Sequence, residues 1–199
     1  RAWSDPSFDD TGWESNVDSW LPTDQLSGQD WSGIGWFRFN VRLDPSLDNR
    51  RIGFTFYHLG ALEVYVDGSR VYRIGSVGAT RDEEIQDQDV SPVTLPLADG
   101  SNHLVAIRYS NINFYNTVAA QWLGGSGWRM YWGDLSTMRS NQTISRLNEG
   151  LYVGFFLAFS LLFGLLFMLY REERLFLYCT LLYGSWAPAV LMISELPFM

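Results

Sequence analysis

Two long, predominantly apolar runs of this sequence carry no charged residue: 150–170 (GLYVGFFLAFSLLFGLLFMLY) and 175–194 (LFLYCTLLYGSWAPAVLMIS), with only Arg171, Glu172, Glu173 and Arg174 between them. No other feature restricts the chain as severely. The first run has 21 residues, and at 1.5 Å per residue a helix of that length reaches roughly 30 Å, the hydrocarbon thickness of a bilayer. Within lipid every peptide group must be paired inside its own segment, so such a run is expected as a transmembrane helix. The second, 20 residues long, is interrupted by Gly184, Ser185 and Pro188 but still long enough to span. Four intervening residues allow only a tight turn, which predicts an antiparallel hairpin with residues 171–174 at one membrane face and everything before Gly150 at the other.

Charge alone does not orient the hairpin. Arg171 and Arg174 in the turn are matched by Arg139 and Arg146 before the first run, and Asp and Glu weigh little in the rule that places basic residues inside. Gly150, Gly154 and Ala158 recur every four residues, a stripe of small side chains along which another helix can approach closely. Pro188 is read as a kink that neighbouring helices tolerate.

Before Gly150 the chain has a different character. It holds 12 Arg, no Lys and 19 Asp and Glu, a formal charge of −7. A domain this acidic, without a basic stripe, repels phosphate backbones, which excludes nucleic acid as a partner. The one cysteine, Cys179, lies in the second apolar run, so neither an internal disulfide nor a cysteine metal cluster is available. Residues 1–12 (RAWSDPSFDDTG) lack the apolar stretch of a signal peptide, and the chain is expected to be a piece of a longer, processed protein.

The acidic part alternates as half-buried strands do. Phe37, Phe39, Val41 and Leu43 fall on one face of residues 35–43, with Arg38, Asn40 and Arg42 on the solvent face. Ile52, Phe54 and Phe56 alternate next; Leu62, Val64 and Val66 then run into Asp67-Gly68, a hairpin turn before a strand at 71–74. Residues 93–97 look extended, Asp99-Gly100 turns, residues 103–109 are apolar on both faces and so central, and a last strand includes residues 128–132. Short strands, frequent turns and no long amphipathic helix predict an antiparallel β-sandwich.

The order of motifs carries a resemblance. Residues 8–13 (FDDTGW), 35–38 (GWFR), 62–68 (LEVYVDG) and 104–108 (LVAIR) resemble, in that order, galactose-binding-like jelly rolls, including the sugar-binding-fold domain of family 2 glycoside hydrolases. With the Tyr- and Leu-rich hairpin that follows at Gly150, the whole chain resembles bacterial seven-transmembrane receptors with diverse intracellular signalling modules. The resemblance implies a jelly roll in the periplasm or otherwise outside the inner membrane, hence a cytoplasmic turn at 171–174. It also implies that the FDDTGW motif anchors the N-terminal segment, so that Asp9 and Asp10 are not an acid–base pair.

Candidate chemistry is sparse. His58 and His103 are read as ordinary surface or strand-end histidines, which leaves little basis for a nucleophile triad. Residues 81–89 (RDEEIQDQD) pack five acids into nine positions but lack the glycine-centred loop of an EF-hand, and are read as a solvated loop rather than a calcium site. Most of the eight Trp before Gly150 are expected in the core. Trp31 and Trp122, in Gly- and Ser-rich surroundings, are the candidates for stacking on a sugar, and Asn111, Asn113 and Asn116 for hydrogen-bonding a polar ligand from a loop. The amides also suit a turn that bonds its own backbone.

The expected organisation is an extracytoplasmic all-β jelly-roll sandwich over residues 1–140, a linker at 141–149, transmembrane helices at 150–170 and 175–194 joined by a cytoplasmic turn at 171–174, and the start of a further loop at 195–199. The expected function is sensing by a bacterial membrane receptor: the sandwich binds a small molecule such as a carbohydrate and transmits occupancy through Gly150. The alternative is an envelope-anchored module that binds polysaccharide or protein without signalling. No cofactor, metal or enzymatic activity is expected of these residues. The further partners are membrane lipid and a second copy of the chain, as a homodimer.

Overall fold

The structure, a computed structural model, describes residues 2–15, 18–22, 32–47, 51–87, 89–97, 100–113 and 124–194. The chain divides into two compact units, residues 1–138 and 139–199. Among the described residues of the first there are seven strands: β1 (Trp20–Pro22), β2 (Ile34–Arg42), β3 (Ile52–His58), β4 (Ala61–Val66), β5 (Ser69–Ile74), β6 (Asn102–Ser110) and β7 (Gly125–Asp134). They form two antiparallel sheets, ordered β1-β7-β3 and β2-β6-β4-β5.

Register follows the alternation of side chains. Leu62, Val64 and Val66 of β4 lie opposite Tyr109, Ile107 and Val105 of β6; one face of the four-stranded sheet is therefore continuously apolar, as a two-residue period requires. These residues join Phe54 and Phe56 of β3 and Trp128 of β7 in one buried cluster, with Phe37, Phe39 and Val41 of β2 packed against it. The Phe37 ring meets Trp128 edge-on at 5.4 Å. β6 is buried through its middle because it has strands on both sides.

The β4–β5 hairpin turns at Asp67-Gly68 as expected. Both residues have positive φ, 49° and 82°, the requirement of a two-residue turn that matches the strands' right-handed twist. The register shifts by one residue between Val64 and Tyr65, a bulge that sets Arg70 across from Tyr65. Residues 93–97, expected as extended, join the sheets only through an isolated antiparallel bridge of Val93 to Phe54, with N···O distances of 2.7 and 2.9 Å. The short strand β1 escapes sequence reading because three residues are too few to show alternation.

α1 (Leu135–Leu169) begins well before the apolar run. Residues 141–149, expected as a linker, are helical, because no proline or glycine interrupts residues 135–149. Asp134 caps the start: its Oδ1 accepts the Thr137 N–H at 2.9 Å and the Ser136 and Thr137 hydroxyls, the N-cap geometry. Those bonds, the Ser136 hydroxyl foremost, hold its carboxyl down at about 2.

In the second unit α1 is followed by α2 (Arg174–Ser194), with Pro188 inside it. The turn is as tight as the four residues demanded: the Glu173 N–H bonds the Tyr170 carbonyl at 3.0 Å and the Phe176 N–H the Glu173 carbonyl at 3.2 Å. The helices meet through Phe156, Phe159 and Phe163 of α1 around Tyr183 of α2. The Ser160 hydroxyl donates to the Thr180 carbonyl at 3.0 Å. The close approach uses glycines other than the expected stripe: a Cβ on Gly184 would lie 3.1 Å from the Ser160 Oγ, one on Gly164 3.6 Å from Thr180 Cγ2, whereas Gly150 and Gly154 have nothing within 4 Å. Gly150, Gly154 and Ala158 are exposed. Among the described residues one helix, α1, is long and apolar enough to cross a membrane, with mean hydropathy 2.3 over its most apolar 18 residues.

Candidate functional site

The end of the sandwich chosen from sequence is built largely for its own support. Trp31, Trp122 and Asn116 lie outside the described residues. Asn111 is fully buried: its backbone N–H bonds the Gly33 carbonyl at 2.9 Å and its side-chain amide donates to Ser126 Oγ at 2.6 Å. Ser126 Oγ lies 3.2 Å from the Tyr109 hydroxyl, which also donates to the Leu59 carbonyl; burial pushes that phenol's pKa up. Asn113 donates its amide to the Arg81 carbonyl at 3.1 Å. The two amides thus tie the loop to distant segments, Asn111 to Ser126 and Asn113 to Arg81, rather than to the loop's own backbone.

The acidic loop is not wholly solvated. Glu84 is 6% exposed, and its carboxylate accepts the backbone N–H of Ile112 at 2.8 Å and of Asn113 at 3.1 Å, so the segment after β6 and the acidic segment hold each other. Among the described residues no three His, Cys, Asp or Glu come together to hold a metal ion. His58, expected as a surface or strand-end histidine, does end β3 but is completely buried. As an alternate residue of β3 it shares the core-facing side with Phe54 and Phe56 and lies opposite Trp128. Its Nδ1 is 3.3 Å from the Phe56 carbonyl, and among the described residues its Nε2 has no hydrogen-bond partner. Burial lowers its pKa; the backbone of Phe56 and Asp87 and the charges of Asp87 and Asp89 act the other way without prevailing. Beside those acids, burial and the charges of Asp89 and Asp87 push Tyr72 up to about 12.

The more developed surface is the outer face of the four-stranded sheet. Arg38, expected in solvent, has a side chain only 4% exposed. Its Nε donates to Asp10 Oδ2 at 2.7 Å, one terminal nitrogen to the carbonyls of Trp3 and Asp5 (the latter at 3.0 Å), and the other to the Phe8 carbonyl at 3.4 Å. The guanidinium also lies 5.5 Å from the Phe8 ring and 6.0 Å from that of Trp13. Asp9 turns elsewhere, accepting the Thr11 N–H and hydroxyl at 3.1 and 2.7 Å. The FDDTGW motif is therefore an anchor, and its two carboxylates diverge. Aromatic rings continue the cover, from Trp13 to Trp3 at 6.2 Å, Trp3 to Trp36 at 6.0 Å and Trp36 to Tyr65 at 5.4 Å. Of the described Trp before Gly150 only Trp128 is buried; Trp3 and Trp132 are 48% and 62% exposed. The expectation of a Trp-filled core is corrected: several of these indoles face away from the core, where one edge stays wet.

Beside this layer Glu63, 8% exposed at its side chain, receives Arg70 at 2.7 Å and Arg108 at 3.4 Å, and the Tyr65 hydroxyl donates to it at 2.9 Å. Burial acts to raise the Glu63 pKa, but the Tyr65 and Arg70 hydrogen bonds and the two cations outweigh it, leaving it below the ordinary value. Between residues 4–6 and the β4–β5 turn lies an open depression of about 550 Å³, lined by Ser4, Asp5 and Pro6 on one side and by Tyr65 and residues 67–70 on the other. Asp67 is held by His103 Nδ1 at 2.6 Å and by the Leu104 N–H at 3.0 Å, and these bonds, His103 first, lower its pKa. The Ser7 backbone N–H and hydroxyl do the same for Asp5. The depression thus presents two carboxylates, one guanidinium, hydroxyls and a phenol, a mixture suited to hydrogen-bonding a polar molecule. Sequence reading missed it because Arg38, Glu63 and Arg70 occupy ordinary outward positions of strands, and only the fold lays residues 2–15 across them.

No known family matches the chain, and no curated protein does. Among solved structures, similar ones include a Bacteroides uniformis β-glucuronidase 2 bound to cyclophellitol-6-carboxylate aziridine, 18% identical with a TM-score of 0.45, covering 65% of this chain and 16% of that one. Another is a family 2 glycosyl hydrolase member from Bacteroides cellulosilyticus, 15% identical with a TM-score of 0.40, covering 66% of this chain and 18% of that one. The chain therefore spans under a fifth of the length of these enzymes.

Proposed function

We propose that the chain is the ligand-sensing and membrane-embedded part of a bacterial signal-transduction receptor. In this reading a galactose-binding-like jelly roll lies outside the inner membrane, binds a small molecule such as a carbohydrate, and transmits occupancy through Gly150 into a transmembrane hairpin. One observation carries the membrane part of the reading. Directly after a folded β unit stands a helix whose most apolar 18 residues have a mean hydropathy of 2.3, none of them buried by the rest of the protein. Leu151, Leu161 and Leu169 are 70%, 70% and 75% exposed. A contiguous apolar surface of this kind is not sustained in water, and a bilayer covers it while leaving every backbone group of the helix paired. The motif order from FDDTGW to LVAIR supports the jelly-roll assignment, and the outer-face depression supplies concave polar surface.

Topology is the first test. Periplasm-active reporter fusions in a bacterial host are expected to be active at Glu149 and inactive at Glu173. Activity at Glu173 overturns the orientation, and recovery of the chain in the soluble fraction overturns the membrane reading.

A further inference from the structure

The geometry points to a binding site for a neutral, polyhydroxylated molecule, a neutral mono- or oligosaccharide, in the depression between residues 4–6 and the β4–β5 turn. It deepens, and rests on, the reading of this unit as a small-ligand sensor. Charge selects the class. Asp5 and Asp67 line one depression with Arg70, and both carboxylates have lowered pKa values, so an anionic ligand meets two negative charges, while the guanidinium needs an acceptor, which an ammonium group cannot be. A hydroxyl both donates and accepts. Neighbouring hydroxyls of a sugar can therefore donate to a carboxylate and accept from Arg70, whose NH1 is spent on Glu63 while its remaining N–H groups stay available at a half-exposed side chain.

The walls are fixed before any ligand arrives. Arg70 is pinned by buried Glu63, residues 3 and 5 are held through their carbonyls by buried Arg38, and the turn is locked with Asp67 and Gly68 at positive φ. Preorganisation of this kind lowers the ordering cost of binding. Tyr65 lines the depression and its ring contacts Trp36, giving the C–H face of a sugar an aromatic surface beside the polar groups. The site lies on a sheet face rather than on the loops that carry Asn111 and Asn113.

The test uses the full chain in detergent micelles, titrated calorimetrically with D-glucose, D-galactose, D-mannose, lactose and cellobiose, and with glucuronate and glucosamine as charged comparators. Two variants probe the site. Arg70→Ala removes the donor, and Ser69→Tyr adds bulk at an exposed position without removing any charged group; Tyr131→Ala, an exposed aromatic of the other sheet, is the control. At least one neutral sugar is expected to bind, with affinity falling roughly tenfold to a hundredfold in Arg70→Ala, the loss typical of a hydrogen bond to a charged group, falling likewise in Ser69→Tyr, and unchanged in Tyr131→Ala. Glucuronate and glucosamine are expected to bind more weakly than glucose. Neutral-sugar binding that survives both site variants overturns this site and leaves the sensor reading standing. Tighter binding of glucuronate than of glucose overturns the neutral class. Binding of none of the sugars overturns the site and the carbohydrate reading together.

Discussion

Replacing Arg38 tests how the N-terminal segment is held to the sheet. The side chain is 4% exposed and makes an ion pair to Asp10 and three bonds to backbone carbonyls. Hydrogen bonds to charged groups are worth about 1.5–3 kcal/mol each when buried. Asp10, however, is 42% exposed, and released carbonyls can rehydrate, so the low end applies and the four do not add fully. Arg38→Met keeps the apolar stem and should cost about 3 kcal/mol, the fork's bonds less the water regained. The aromatic contacts among Trp3, Phe8, Trp13 and Trp36 contribute about 0.5–1.5 kcal/mol each beyond burial, too little to keep the segment docked by a wide margin. The loss should therefore be local. Hydrogen exchange on the full chain should show the amides of Phe8 and Trp13, bonded to the carbonyls of Asp5 and Asp10, losing protection by about a hundredfold, since each 1.4 kcal/mol is tenfold, while β6 amides stay protected. Arg38→Lys keeps the charge but lacks the planar fork and should recover less than half of the protection. Unchanged exchange at Phe8 and Trp13 in Arg38→Met, or full recovery in Arg38→Lys, refutes the clamp.

Three further outcomes follow from other parts of the fold. At Gly60, φ is +119° and an added Cβ would stand 2.0 Å from the Ser110 carbonyl oxygen; Gly60→Ala should lose about 3 kcal/mol or more by urea unfolding, and a loss below about 1 kcal/mol would count against the turn geometry. Burial lowers the His58 pKa from 6.5, so below that pH the unfolded chain binds the extra proton and the folded one resists it. The stability contributed by the neutral ring is thus present above pH 6.5 and lost as pH falls, by at most about 1.4 kcal/mol per pH unit; urea midpoints from pH 7 to 5 should show a slope that His58→Phe removes, and equal slopes in both proteins would exclude His58 as its source. In the helical unit, Gly184→Leu meets Ser160 whereas Gly154→Leu meets open space; only the former should lower the thermal stability of the hairpin in detergent, and equal effects would argue against the packing.

Much of the architecture was legible because it rests on periodicity. Alternation marked β2, β3 and β4, apolar residues on both faces marked β6, Asp67-Gly68 fixed one hairpin, and the uncharged runs with four residues between them dictated two antiparallel helices, since side-chain direction and chain reach are local properties. The start of α1 was harder: residues 135–149 are polar and carry no helical stripe strong enough to read, yet Asp134 caps them and nothing in them breaks a helix. What tertiary structure alone decided is where outward-facing residues go. Strand alternation puts Arg38, Glu63 and His58 on one side or the other, but whether that side is wet depends on which distant segment crosses it. Residues 2–15 lie over Arg38, the chain near Asp87 and Asp89 approaches His58, and Glu84 reaches under Ile112 and Asn113. These contacts join positions separated by 28 to 35 residues, from Arg38–Asp10 to Arg38–Trp3. No local pattern encodes such pairings, because their energy comes from desolvating and pairing a charge that the sequence, read one strand at a time, leaves in water.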